Sequence, residues 1–283
     1  MTIVPGSASQ ALAAALVRET GADLATPTYD RFPDGETLAA VPGFDDDRAT
    51  VVAATPSNDA LVELLQLQDA VREAGASEVT TVLPYMGYAR QDRAFEAGHP
   101  VSARAVARAI SPGTDRVVLV TPHEAAVGDF FDVPVDVVDA ADVLAGPLPD
   151  DLTDPLFLSP DAGAVALAET VRDAYGRGTV DHFEKTRHSG TEVTIEPSDA
   201  DADGRDVVIV DDIIATGSTM SEAVAALGDR GAARVFAACV HPLLARNART
   251  KLESAGIERV VGTDTLERDV SAVSVAPVVA DVL

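Results

Sequence analysis

Apolar residues follow two kinds of pattern along this chain. The first is the short unbroken run rich in β-branched side chains: Val51 to Ala54, Val79 to Leu83, Val117 to Val120, Val207 to Val210, and Arg234 to Val240. Runs of this length without polar alternation predict strands covered on both faces. The second is recurrence every three or four residues. Leu61, Leu64, Leu67 and Val71 predict a helix, with Asn58 or Asp59 placed to cap its first turn and Gly75 to end it. Met220, Ala223, Val224 and Leu227 repeat the pattern, closed by Gly228. Strands alternating with helices predict parallel βαβ units, hence an α/β fold. The stretch Val138 to Asp154, with Gly146-Pro147-Leu148-Pro149 and an excess of acids, predicts a boundary between two such units. No residue-level repeat of short period is present, which excludes a solenoid.

Charge sharpens this picture. The 283 residues hold 46 acidic and 21 basic side chains, a formal charge of -25, yet 47% are hydrophobic, so the chain is globular and not disordered. Nothing forms a basic run, which argues against a nucleic-acid partner. Two of the cations are lysines, Lys185 and Lys251; the rest are arginines. Acidic clusters such as Asp45-Asp46-Asp47 and Asp199 to Asp203 recur. A surface that repels itself this strongly suits concentrated salt, which screens charge within about 3 Å at 1 M, and predicts a halophilic source. Cys239 is the one cysteine; it excludes an intramolecular disulfide and a zinc site of several thiolates, and its apolar run marks it as core. No apolar stretch approaches the roughly 18 residues of a bilayer-spanning helix, and no secretory signal pattern opens the chain, so no membrane partner and a cytoplasmic location are expected.

The strongest chemical signal is Val207-Val208-Ile209-Val210-Asp211-Asp212-Ile213-Ile214-Ala215-Thr216-Gly217-Ser218-Thr219, running into the helical pattern from Met220. A buried strand ends in two carboxylates, and a turn of small residues then opens a helix. Backbone N–H groups, the helix's positive end and the Thr216, Ser218 and Thr219 hydroxyls can hold a phosphate there. The carboxylates suit the hydroxyls of an attached sugar, or a metal ion near it. No lysine follows Gly217, so the turn is not a Walker loop.

The Asp211 to Thr219 turn resembles the phosphoribosyl pyrophosphate loop of type I phosphoribosyltransferases. Four other stretches narrow the resemblance to the ribose-phosphate pyrophosphokinase family: Arg31-Phe32-Pro33-Asp34-Gly35-Glu36, Pro84 to Arg93, Ser159-Pro160-Asp161-Ala162-Gly163, and Glu184-Lys185-Thr186-Arg187. Order and spacing match from about Ile3 to Leu283, and the charge suggests a haloarchaeal type. The resemblance implies two tandem phosphoribosyltransferase-like domains, each a mainly parallel sheet flanked by helices. Residues 1–142 would bind ATP, with residues from about 270 to 283 able to return to that domain. Residues 143–283 would bind ribose 5-phosphate through Asp211, Asp212, Ala215, Thr216, Gly217, Ser218 and Thr219. The implied reaction moves the diphosphate of ATP to the 1-hydroxyl of ribose 5-phosphate, which needs positioning and charge neutralisation more than covalent catalysis.

By the same resemblance, Lys185 and Arg187 would lie on a mobile loop closing over the reacting phosphates, as catalytic residues. Arg90 and Gln91 would contact the phosphates and the nucleoside of ATP. Phe32, Asp34 and Glu36 would grip adenine across a dimer interface, implying a homo-oligomer built from dimers with shared adenine sites. Read by itself, Pro33-Asp34-Gly35 would turn in any case. His123, counted also with the ATP contacts, and Asp161 would hold Mg²⁺ as the cofactor, although a lone histidine is as readily a surface residue. Thr121 stands where many relatives carry an aspartate, and Ala215 where many carry a third acid. His99, His182, His188 and His241 show no ligand spacing. Two rivals remain: a phosphoribosyltransferase that consumes the activated sugar, which leaves the first half unexplained, and a non-catalytic regulatory homologue.

Overall fold

The computed structural model describes residues 1–187, 193–197 and 201–283, and for residues 184–187 and 193–197 the backbone path alone. The chain divides into two compact units. The first is Met1–Asp139 with Asp264–Glu267 and Ser274–Leu283; the second is Ala140–Thr263 with Arg268–Val273.

The first unit is built on β1 (Thr2–Pro5), α1 (Gln10–Thr20), β2 (Asp23–Leu24), β3 (Thr28–Arg31), β4 (Thr37–Ala40), β5 (Arg48–Val52), α2 (Asn58–Glu73), β6 (Glu78–Leu83), α3 (Ser102–Ile110), β7 (Arg116–Val120) and β8 (Val135–Val138). Its parallel sheet has the order β2-β1-β5-β6-β7-β8, and β3 with β4 forms a separate antiparallel hairpin. Val51, Val79, Leu83, Val117 and Leu119 bury in the sheet against Leu64, Leu67 and Val71 of α2. The periodicity that predicts α2 is therefore the face it packs; each such side chain contributes roughly 1.5–3 kcal/mol. Its cap is Ser57, one residue before the expected Asn58 or Asp59. Ser57 is extended and its hydroxyl accepts from the Ala60 amide at 3.2 Å, while the Asn58 amide oxygen accepts from the Tyr88 hydroxyl. Gly75 takes a φ of 110° just past the helix end, as a stop in left-handed conformation requires.

The second unit follows with β9 (Leu156–Ser159), α4 (Val165–Tyr175), β10 (Thr179–Arg187), β11 (Val193–Pro197), β12 (Asp206–Ile213), α5 (Ser218–Asp229), β13 (Arg234–His241), α6 (Ala248–Ser254), β14 (Arg259–Thr263) and β15 (Ser271–Val273); α7 (Ala276–Ala280) belongs to the first unit. The sheet order is β11-β10-β9-β12-β13-β14-β15, parallel except for β11. Leu156, Leu158, Val207, Ile209, Val235 and Ala237 pack beneath Met220, Val224 and Leu227 of α5. That helix runs one residue past the expected stop at Gly228. From β9 the chain steps outward to β10 on one side, and from β12 to β13 on the other. The order thus reverses between β9 and β12, where parallel sheets open a crevice at their carboxyl ends.

Candidate functional site

The residues at that reversal point are Asp161, just past β9, and Asp211 and Asp212 on β12. Asp161 caps a short 3-10 turn, accepting from the Gly163 amide at 3.1 Å, while its carbonyl accepts from the Ser159 hydroxyl at 2.8 Å. Asp211 accepts from the Asp212 amide at 2.9 Å. Its carboxyl is held well above the usual carboxylate range, first by burial, then by the charge and side-chain hydrogen bond of Asp212, with Asp161 adding to the repulsion. Negative charge is therefore crowded here. Hard oxygen donors in this state suit sugar hydroxyls, which can donate to them, and a divalent cation, which relieves the repulsion. Cys239 pairs with Asp211 across β12 and β13, and burial with the neighbouring carboxylate pushes its thiol up. It is core, as its run predicts.

After β12 the chain makes the small-residue turn. Gly217 has a φ of 70° and caps α5 without a side-chain hydrogen bond, so no side chain of the cap occupies the helix's first amides. A Cβ at Gly217 would lie 3.2 Å from both Cβ and O of Ala248 at the start of α6. Glycine is needed there for the conformation and for the close approach. The turn is held by a segment that motif reading passes over: Leu244 N donates to Ile214 O at 2.9 Å, Ala245 N to Ala215 O at 2.8 Å, and Lys251 Nζ to Ser218 Oγ at 2.7 Å. Ala215 thus serves through its backbone. Thr216 and Thr219 are exposed and Ser218 partly buried. Lys251 is the residue that sequence reasoning missed, and the scarcity of lysine was the signal that could have found it.

Lys185 and Arg187 lie on β10, paired with Ile195 and Val193 of β11, where a mobile loop was expected. The difference has a backbone reason: β9 and β11 flank β10 and give its amides and carbonyls partners along most of its length. His188 lies outside the described residues.

In the first unit the stretch from Pro84 is built tightly. Gly87 donates to Thr55 Oγ1 at 2.9 Å, and a Cβ there would collide with Thr55 O at 2.2 Å. Arg90 is exposed beyond β6. The Gln91 side chain brackets the loop, donating to Pro100 O at 3.3 Å and accepting from the Ser102 hydroxyl at 2.5 Å. Arg93 lies over the Phe95 ring at 5.4 Å. Phe32, Asp34 and Glu36 sit at the tip of the β3–β4 hairpin. Asp34 accepts from the Glu36 amide at 3.2 Å, and Phe32 is 47% exposed. The turn read from Pro-Asp-Gly is therefore present and still offers an aromatic face to solvent. His123 is exposed past β7. Two residues earlier, Thr121 has a φ of 37°, a conformation that costs a β-branched residue on the order of 1–3 kcal/mol and concentrates at functional sites. His123 belongs to the first unit and Asp161 to the second, and no group of three or more metal-ligating side chains stands together among the described residues.

Comparison with known proteins covers the whole chain. Residues 1–112 match the N-terminal domain of ribose phosphate pyrophosphokinase, and residues 139–277 match the phosphoribosyl transferase domain. The chain is 64% identical over 282 residues to a ribose-phosphate pyrophosphokinase of Halobacterium salinarum, covering 99% of this chain and 100% of the relative. It is 43% identical over 285 residues to one of Methanosarcina mazei, covering 100% and 95%. Among solved structures, phosphoribosylpyrophosphate synthetase from Mycobacterium smegmatis is similar with a TM-score of 0.84 at 30% identity, covering 99% of this chain and 96% of that one.

Proposed function

The chain belongs to the ribose-phosphate pyrophosphokinase family, and on that premise we propose that it is a diphosphokinase acting on ATP and ribose 5-phosphate. The 1-hydroxyl oxygen of the sugar attacks the β-phosphorus of ATP. A bond forms between them as the bond from the β-phosphorus to the bridging oxygen of the α-phosphate breaks. The electron pair leaves with AMP, the hydroxyl proton is lost, and the product is 5-phosphoribosyl 1-diphosphate.

The observation that carries this reading is the strand-to-helix turn at the reversal point of the second sheet. Asp211 and Asp212 lie on β12 and the Thr216 to Thr219 turn opens α5; the carboxylates would meet the sugar's hydroxyls and the turn's amides and hydroxyls its phosphate. Lys185 and Arg187 would neutralise the transferred phosphates, Arg187 as a planar fork and Lys185 as a point charge. Arg90 and Gln91 would serve ATP. Mg²⁺ is proposed as the cofactor, with His123 and Asp161 as the residues that would hold it. Bound there, the ion would neutralise oxygens of the diphosphate. The exposed Phe32 at a hairpin tip supports an adenine site shared between subunits, hence at least a dimer.

Purified protein in high salt, given ATP, Mg²⁺ and ribose 5-phosphate, is expected to release AMP and the sugar diphosphate only when all three are present, and to elute from gel filtration as at least two chains. AMP released without the sugar, turnover that survives a chelator, or elution as one chain would each remove the corresponding part. Consumption of the sugar diphosphate with a free base would select a phosphoribosyltransferase instead.

A further inference from the structure

Lys251 is one of two lysines among 21 cationic side chains. Its neighbour on α6, Arg249, makes the usual surface pairs with Glu253 and Asp269. The chain thus uses arginine on the solvent side of this helix and keeps lysine where the helix meets the turn before α5. There Nζ lies 2.7 Å from Ser218 Oγ. An ammonium has three donors and no acceptor, so in this bond the hydroxyl must accept. Its own hydrogen is then left to be donated elsewhere, and the attached charge strengthens that donation.

The placement is fixed by more than one contact. Ala248 packs against Gly217, and Ala245 and Leu244 bond the backbone just before it, so the segment that begins α6 braces the turn. The electrostatic need is also local. Asp161 follows β9, and Asp211 and Asp212 lie at the carboxyl end of β12 just before the turn; a phosphate monoester brought to the α5 amides would add negative charge to this neighbourhood. A compact cation held against the first residue of α5 opposes that.

We infer that Lys251 is a positioning residue for the phosphate of the sugar substrate: through Ser218 it fixes a hydroxyl donor toward the phosphomonoester and adds a positive charge to the turn. This rests on the reading of the Asp211 to Thr219 turn given above. It assigns Lys251 no contact with the reacting β-phosphorus, so its effect falls on binding of one substrate.

Steady-state kinetics and calorimetric binding of ribose 5-phosphate in high salt test it. Lys251→Met is expected to raise KM and Kd for ribose 5-phosphate about tenfold, with KM for ATP and kcat within about twofold. Lys251→Arg, which keeps a charged donor, is expected to restore most of the loss. Ser218→Ala is expected to weaken the same constant, and the double variant to add little to it, because the two residues act as one unit. A merely structural role would lower the thermal midpoint and the active fraction while leaving the two KM values in proportion. A KM and Kd for the sugar within about twofold of wild type in Lys251→Met overturns the inference; if that variant does not fold, an unchanged constant in Ser218→Ala overturns it equally. Wild type that binds ribose 5-phosphate without forming AMP would sink the proposed activity alone, and the ratio of Kd values would still decide the role of Lys251. Wild type that binds no ribose 5-phosphate sinks both.

Discussion

Asp206, at the start of β12, shows what a single charged residue does where salt cannot reach. Its side chain is 2% exposed; it accepts from Arg234 Nε at 3.0 Å and Nη2 at 2.7 Å, and from the Thr153 amide at 2.6 Å. The Arg234 hydrogen bond first, then the Thr153 amide, hold its carboxyl below the usual carboxylate range against the opposing effect of burial. A carboxyl whose folded value is lowered stabilises the fold above its unfolded value, near 4, and that contribution is lost as pH falls through the lower folded value. Asp206→Ala is expected to cost about 3 kcal/mol near neutral pH, the low end for a broken buried pair because Arg234 keeps part of its side chain in water. The difference between variant and wild type in denaturant titrations should shrink below about pH 4; a difference constant down to pH 2 would remove the pair from the account. Neither this pair nor the Lys251–Ser218 bond can be read from local pattern. Asp206 and Arg234 stand at the ends of two apolar runs, and only the parallel register of β12 and β13 sets them opposite one another.

At the scale of elements, the runs that read clearly are the central ones: β5, β6, β7, β12 and β13 are continuous because both their faces are covered. Peripheral strands leave less trace. β8 interleaves Asp136 among its valines, and β2 is two residues long, because an edge strand has one neighbour and less surface to bury. The turn that opens α5 is legible since its glycine, hydroxyls and paired acids are contiguous, whereas the Leu244 to Ala248 segment that braces it is not, since backbone hydrogen bonds leave no residue signature. The β10–β11 hairpin bears on Lys185. Its backbone pairing from Phe183 to Arg187 does not require an ammonium, so Lys185→Ala should leave the hairpin in place. If Lys185 meets charge that develops during transfer, its loss should lower kcat by on the order of a hundredfold while KM for ATP changes by less than about threefold. A variant with wild-type kcat takes Lys185 out of the chemistry; one whose KM for ATP rises with kcat unchanged makes it a ground-state contact.

The whole molecule has to fold with a formal charge of -25, and this repulsion is borne by surface charges that solvent reaches. At about 0.1 M salt the screening length is about 10 Å; at about 1 M it is about 3 Å. Compact packing is penalised by the first condition far more than by the second. The unfolding midpoint is therefore expected to rise on the order of 10 °C between these concentrations of sodium or potassium chloride, equivalent to a few kcal/mol for a chain of this size. Sucrose at matched osmolality separates the causes. It strengthens burial by exclusion from the surface but screens nothing, so an equal rise in sucrose would assign the effect to burial. The Asp206–Arg234 pair gives an internal reference, because its carboxylate is out of the solvent's reach. The coupling energy from a double-mutant cycle on that pair should change far less across the salt series than the midpoint of the parent protein, the part of Arg234 left in water being the only portion that salt screens directly. If both move together, salt acts on the interior contacts as well, and the surface charge alone does not set the requirement.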